Sequence, residues 1–225
     1  MRAVLLSVAA GICSLAIVAP ASAQGVKIGI LNDQSGVYAD YGGKSSIEAA
    51  RMAVEEFGGE VLGHKIEIVT AAHQNKPDLA VNIARRWYDT EGVDMITELT
   101  TSSVALAVQE VTKEKKKIDI VVGAASSAIT GVSCSPYGFH WAFDTHALAV
   151  GTGGALVKAG GDTWFFLTAD YAFGHALEKD TGDVVKANGG KVLGAVRHPL
   201  NTSDYSSFLL QAQSSKAKVI GLANA

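Results

Sequence analysis

The chain has 225 residues, with 19 Lys and Arg against 22 Asp and Glu, a formal net charge of −3, and 48% hydrophobic residues. That length suits one large domain or two small ones, and the mildly acidic balance forces no basic face, which argues against a nucleic-acid partner. Two cysteines, Cys13 and Cys134, are too few for a disulfide framework.

Residues 1–23 read as an export leader. Arg2 supplies the positive start, "AVLLSVAAGICSLAIVA" the apolar stretch, and "ASA" ending at Ala23 the small-residue cleavage site. The apolar stretch is short for a membrane span of about 20 residues, and Pro20 follows it directly. Cys13, preceded by Gly-Ile, stands in a poor context for lipid attachment. Removal of the leader leaves Cys134 alone, so stability has to come from a buried core. Nothing after residue 23 is apolar for long enough to cross a bilayer. The expectation is a soluble exported protein, secreted or periplasmic, and not embedded in a membrane.

After the leader, strand-like and helix-like runs alternate. The first strand, 26–31, is followed by a long polar connection holding Asn32, Asp33, Ser35, Tyr38, Asp40 and Tyr41 before a helix over 45–57. A plain strand-to-helix joint needs only about 2–6 residues, so this one is long enough to hold something. Strands follow at 65–71, 93–99, 118–123, 163–169, 191–196 and 217–223, separated by helices at 77–90, 102–115, 146–159, 174–188 and 205–215. The 77–90 helix opens on Pro77, a favoured first position, and repeats Leu79, Ile83 and Trp87 every four residues. Several strands are apolar on both faces, as in a parallel sheet covered on two sides. The alternation predicts an α/β fold with doubly wound parallel sheets.

One stretch breaks the rhythm. "TGVSCSPYGFHWAFDT", 130–145, carries a turn at Pro136–Gly138 and then a short aromatic strand-like piece. It reads as the crossing from a first lobe, 24–143, to a second, 144–225. The last strand-like run, 217–223, has no helix after it to cover it, so the second lobe reads as incomplete.

In an open parallel sheet, ligands bind beyond the carboxyl ends of the strands, where helix N-termini present free N–H groups. At those places the sequence puts the long opening connection, "TTSS" (100–103), "AASSAIT" (124–130) and "DYAFG" (170–174). Each alone is explained by helix capping or turn formation. Together they supply hydroxyls for a carboxylate, and Tyr41, Tyr171 and Phe173 to wall an apolar tail. Signals for chemistry are poor. "GTGGAL" (151–156) lacks the third glycine of a dinucleotide fingerprint, and neither a phosphate loop nor a GxSxG elbow is present. The six histidines show no metal-ligand spacing, and Cys134 has no evident partner base. Neither an enzyme, a metal nor a cofactor is expected.

"VKIGILNDQSGVYADYGG", "TTSSVALAVQEV", "GAASSAIT" and "FLTADYAFGHALEKD", in this order, resemble the substrate-binding proteins of branched-chain-amino-acid-type ABC importers. These are leucine-binding-like, type I periplasmic binding proteins. The resemblance implies a two-lobed receptor that captures a small carboxylate, an amino acid or an aromatic acid, and hands it to an ABC permease in the inner membrane. A sensor of the same fold feeding a regulatory partner is the alternative. It also implies site residues. Tyr41 would line the cleft, and Thr101, with Ser102 beside it, would grip the ligand carboxylate. Ala124, Ala125 and Ser126 would add backbone and hydroxyl contacts, and Phe173, with Tyr171 nearby, would close from the second lobe. The family has a tyrosine where Phe173 stands, and it holds a ligand ammonium with an acidic residue that would lie beyond residue 225.

Overall fold

The computed structural model describes residues 25–224, so the leader expected over 1–23 lies outside the described residues. The chain enters as β1 (Lys27–Asn32), passes through a short helix α1 (Ala39–Gly42) into α2 (Lys44–Phe57), and makes a small antiparallel hairpin of β2 (Glu60–Val61) and β3 (His64–Lys65). It continues as β4 (Glu67–Ala72), α3 (Pro77–Asp89), β5 (Met95–Glu98), α4 (Ser102–Lys115) and β6 (Ile118–Val121). A 3-10 turn at Ser127–Ile129 leads to β7 (Gly138–His140). The remainder is α5 (Thr145–Lys158), β8 (Thr163–Ala169), α6 (Ala172–Ala187), β9 (Lys191–His198), α7 (Ser206–Ser214) and β10 (Val219–Ala223). Every strand and helix expected from the alternation is present with bounds within two residues. The short α1 and the β2–β3 hairpin carry no periodic signal, being too brief to show one.

The larger strands form two parallel sheets. The first has the order β4-β1-β5-β6-β7 and the second β10-β8-β9. In the first, the chain leaves β1 for β4 on one side and later returns to lay β5 on the other. That reversal opens a crevice at the carboxyl ends of β1 and β5, where neighbouring connections diverge. The second sheet repeats the arrangement, with β8 in the middle and its successors on either side. The "FHWAF" piece adds β7 to the edge of the first sheet, and α5 starts five residues later. Among the described residues, no helix is long and apolar enough to cross a membrane.

The first core packs α3 and α4 against the sheet. Ala80, Ile83, Ala84 and Trp87 from α3 meet Val104, Ala105, Val108 and Val111 from α4 over Leu31, Ile96 and Val121. The second is smaller: Trp164 and Phe166 of β8 with Val185 of α6 and Ala223 of β10. Close approach is part of the packing. The ring of Trp87 lies against Gly29 on β1, where a Cβ would sit 2.5 Å from ring atom Cζ3.

That contact generates a prediction. Gly29→Ala pushes a methyl group into the Trp87 ring, and overpacking of this kind costs about 1–3 kcal/mol. Urea denaturation of the variant should show a lower midpoint with an unchanged slope; an unchanged midpoint would mean that the ring is free to move aside.

Candidate functional site

The connection between β1 and α2 is folded around two side chains at the end of β1. Asp33 is fully buried. Its carboxylate accepts hydrogen bonds from the backbone N–H groups of Gly36 (2.7 Å), Tyr38 (3.1 Å) and Ser35 (3.4 Å), and from Nδ2 of Asn75 (2.5 Å). Burial alone would raise this carboxyl, but the bonds from Tyr38, Gly36, Asn75 and Ser35 outweigh it and hold the pKa below its ordinary value. Asn32, next to it, donates from Nδ2 to the carbonyls of Gly42 and Gly43, both at 2.7 Å. Charge and amide together pin both ends of the loop, and Tyr38 and Tyr41 are carried between the pins. His73 packs beside this cluster; its burial pushes the imidazole down to about 4, so it stays neutral although Asp33 is near.

The pinned loop forms one wall of a cavity of about 370 Å³. Val37, Tyr38, Asp40 and Tyr41 line it from this loop, Thr100 and Ser102 from the start of α4, and Gly123, Ala124 and Ala125 from beyond β6. Phe143, Tyr171 and Phe173 complete it from the crossing and the second sheet. The walls thus come from the carboxyl ends of β1, β5, β6 and β8, the crevices that the strand orders create.

Of the residues expected from the sequence, Tyr41, Ser102, Ala124, Ala125, Tyr171 and Phe173 are brought together on this wall. Thr101 and Ser126 sit behind it. Ser126 is buried, its hydroxyl accepts from the N–H of Ala128, and its own N–H donates to Oγ of Ser102 at 3.1 Å. Thr101 is the extended residue just before α4, buried, and its Oγ1 has no hydrogen-bond partner among the described residues. Tyr38 and Thr100, which the sequence places in the strand-end segments without a role of their own, are wall residues too, as is Phe143, which it does not single out. The aromatic "FHWAF" run was a signal for Phe143, and "TTSS" contained Thr100. No local pattern separates Tyr38 from Tyr41.

Both sides of the cavity are joined by direct bonds. The hydroxyls of Tyr38 and Tyr171 are 2.8 Å apart. Burial raises the pKa of both phenols, so both are neutral at physiological pH. The N–H of Ala172, at the start of α6, donates to Oγ of Ser103 on α4 at 3.1 Å. Asp180 on α6 accepts from Oγ of Ser127 (2.7 Å) and from Oγ1 of Thr145 (2.6 Å).

The wall carries little charge. Asp40 is its one charged side chain, and it is exposed. A carboxylate here has to be held by neutral donors, the hydroxyls and N–H groups around the start of α4, helped by that helix's dipole. Five aromatic rings and three small residues leave room for an apolar body. No group pairs a nucleophile with a base on this wall.

A family model described as periplasmic binding protein matches residues 25–225. A crystal structure of a periplasmic binding protein from Burkholderia mallei is 60% identical, with a TM-score of 0.88, over 90% of this chain and 54% of that one. A solute binding protein of an ABC transporter from Rhodopseudomonas palustris, solved with p-hydroxybenzoic acid, is 29% identical with a TM-score of 0.78, over 88% of this chain and 53% of that one. A Leu/Ile/Val-binding protein homologue from Brucella abortus is 28% identical over 196 residues, 86% of this chain and 49% of its own. The chain spans about half the length of each.

Asp33 can be tested directly. A hydrogen bond to a charged group is worth about 1.5–3 kcal/mol, so Asp33→Ala should destabilise by about 2 kcal/mol or more and speed hydrogen exchange at the Gly36 and Tyr38 amides. In the parent protein this contribution is present at neutral pH and is lost as the pH falls below 3.8, the carboxyl's ordinary value. Unchanged exchange in the variant would show that the loop does not depend on the carboxylate.

Proposed function

Since the chain belongs to the periplasmic binding protein family, we propose that it is an extracytoplasmic solute receptor that captures a small carboxylate between two lobes. The lobes are residues 24–143 and 144–225. The observation that carries this reading is the cavity itself, walled from both sheets and bridged by the Tyr38–Tyr171 hydroxyl pair. A ligand that touches both walls favours the closed arrangement by its differential affinity, and closure is what a transport partner reads. The partner is an ABC permease of the inner membrane. Residues 1–23 direct export and are removed, which places the receptor in the periplasm. It performs no chemistry on what it binds.

In this reading the carboxylate lies against the start of α4. Thr100 and Ser102 face it, and Thr101 turns its unpartnered hydroxyl to it when the ligand enters. Ala124 and Ala125, with Ser126 supporting Ser102 from behind, leave space for the ligand body. Tyr41, Tyr171 and Phe173 cover the apolar part. Relatives carry both kinds of candidate in their names, leucine, isoleucine or valine on one side and p-hydroxybenzoic acid on the other. The five rings of the wall favour the aromatic acid.

Titration calorimetry of the full-length protein against p-hydroxybenzoate, benzoate, L-leucine and L-valine tests the proposal, with methyl benzoate as the uncharged control. At least one acid should bind, and at 100 times its Kd it should stabilise the protein by about 2.7 kcal/mol. Methyl benzoate should not bind. Failure of all four acids, or equal binding of the ester, contradicts a carboxylate receptor.

Thr101→Val separates the grip from the fold. A buried hydroxyl without a partner costs about 1–3 kcal/mol, so replacing it should leave the ligand-free protein as stable or more so. Affinity for the bound acid should fall about tenfold, the equivalent of 1.4 kcal/mol. Unchanged affinity would place the carboxylate elsewhere on the wall.

A further inference from the structure

Glu98 ends β5 and is 5% exposed. The chain bends there through two consecutive non-glycine residues with positive φ, Glu98 at 82° and Leu99 at 53°, a conformation that costs energy and persists only where the surroundings impose it. The carboxyl is wedged directly behind the cavity. A Cβ placed on Gly42 would run into its Oε1, and one on Gly123 would come within 3.1 Å of the same atom. The hydroxyls of Ser46 and Thr100 lie beside it, Thr100 Oγ1 and Glu98 Oε1 both crowding the position a Cβ on Gly42 would take. Thr100 and Gly123 belong to the cavity wall. A buried acid therefore stands one hydroxyl away from the space in which a ligand carboxylate is expected.

The hydroxyl of Thr100 has one proton and two lone pairs. One lone pair accepts the N–H of Asp33 at 3.2 Å. An ionised Glu98 can only accept, so it draws the Thr100 proton toward itself and leaves a lone pair facing the cavity, the wrong group for an anion. A protonated Glu98 can donate to the second lone pair, and the Thr100 proton is then free to point at the ligand. Repulsion between two carboxylates adds to the same preference. We propose that Glu98 is a positioning residue whose proton sets Thr100 to donate to the ligand, so that an anionic ligand and one proton are taken up together. The inference rests on the carboxylate-receptor reading above.

Burial supports this, since it pushes the Glu98 carboxyl up to about 7 although the neighbouring hydroxyls of Ser46 and Thr100 pull it down. The elements around Glu98 bring no partner charge to it. Asp40 and Tyr41 on α1, Lys44 and Glu48 on α2, and Asp119 on β6 make no hydrogen bond or ion pair with it among the described residues.

The ligand-bound state holds the proton more tightly than the free state, so affinity is highest below pH 7 and falls as pH rises through that value. For a free-protein value of about 7, Kd should rise about tenfold between pH 6 and pH 8. The test is calorimetry on the full-length protein with the tightest binder among p-hydroxybenzoate, benzoate, L-leucine and L-valine. It is run at both pH values, in two buffers of different ionisation enthalpy, on the parent and on Glu98→Gln. The amide of the variant donates at every pH, so its Kd should be flat and its proton uptake zero. A parent protein with flat affinity and no proton uptake overturns the proposal. So does a slope that survives in Glu98→Gln, which would assign the proton to another group. If none of the four acids binds the parent at pH 6, the receptor reading fails first and takes this one with it. Should the variant be too unstable to titrate, the proton count of the parent alone decides: about one at pH 8 and near zero at pH 6 supports the proposal, and zero at both refutes it.

Discussion

The carboxylate of Asp33 is the constraint on which the cavity depends. Without it the ten or so residues between β1 and α2 would be an ordinary surface loop, free to sample many conformations at a cost of about 1–2 kcal/mol per residue to fix. With it, three backbone N–H groups and the Asn75 amide converge on one buried charge, and Asn32 ties down the far end at Gly42 and Gly43. A full set of donors is what makes burial of that charge tolerable. The same set holds Tyr38 where it meets Tyr171 across the cavity. A stable loop and a bridged cleft are thus one arrangement seen at two distances.

In the proposed function the wall would hold an anion without a cation. Arg or Lys would add strength, but they would also attract any passing anion, and the wall carries neither. Hydroxyls and N–H groups fixed by the fold are selective in a different way, because each must find its acceptor in place or be left unpaired. Their orientation is then as important as their number. Thr100 takes an N–H from Asp33 on one side and touches Glu98 on the other, so its single proton is shared between the interior and the cleft. In the carboxylate-receptor reading, binding strength depends on the layer behind the wall as well as on the wall itself.

The secondary structure was legible because it rests on periodicity. The apolar repeat Leu79, Ile83 and Trp87 and the two-faced strands are properties of the local sequence, and they place their elements to within two residues. The strand-end loops were legible as the place to look, since the α/β rule puts ligands there. What could not be read were the contacts between distant positions. Tyr38 and Tyr171 are 133 positions apart, and nothing near Tyr38 distinguishes it from Tyr41 before the loop is folded. Thr101 and Ser126 carry the same hydroxyl as their neighbours, and only the trace of the chain turns them behind the wall instead of onto it. Asp33 looked like one polar residue among several, and Glu98 like part of a strand; burial, which gives each its role, comes from tertiary packing.

The central claim is that one small carboxylate sits between the two sheets, against the start of α4 and under the Tyr38–Tyr171 pair. A crystal structure of the full-length protein with the tightest-binding acid tests it most directly. The account predicts ligand density in this cavity, with a carboxylate oxygen within hydrogen-bond distance of Thr100, Thr101 or Ser102 and the body against Tyr171 and Phe173. Density in another groove, such as the one lined by His146 and His175, or a ligand whose carboxylate points away from α4, would contradict it.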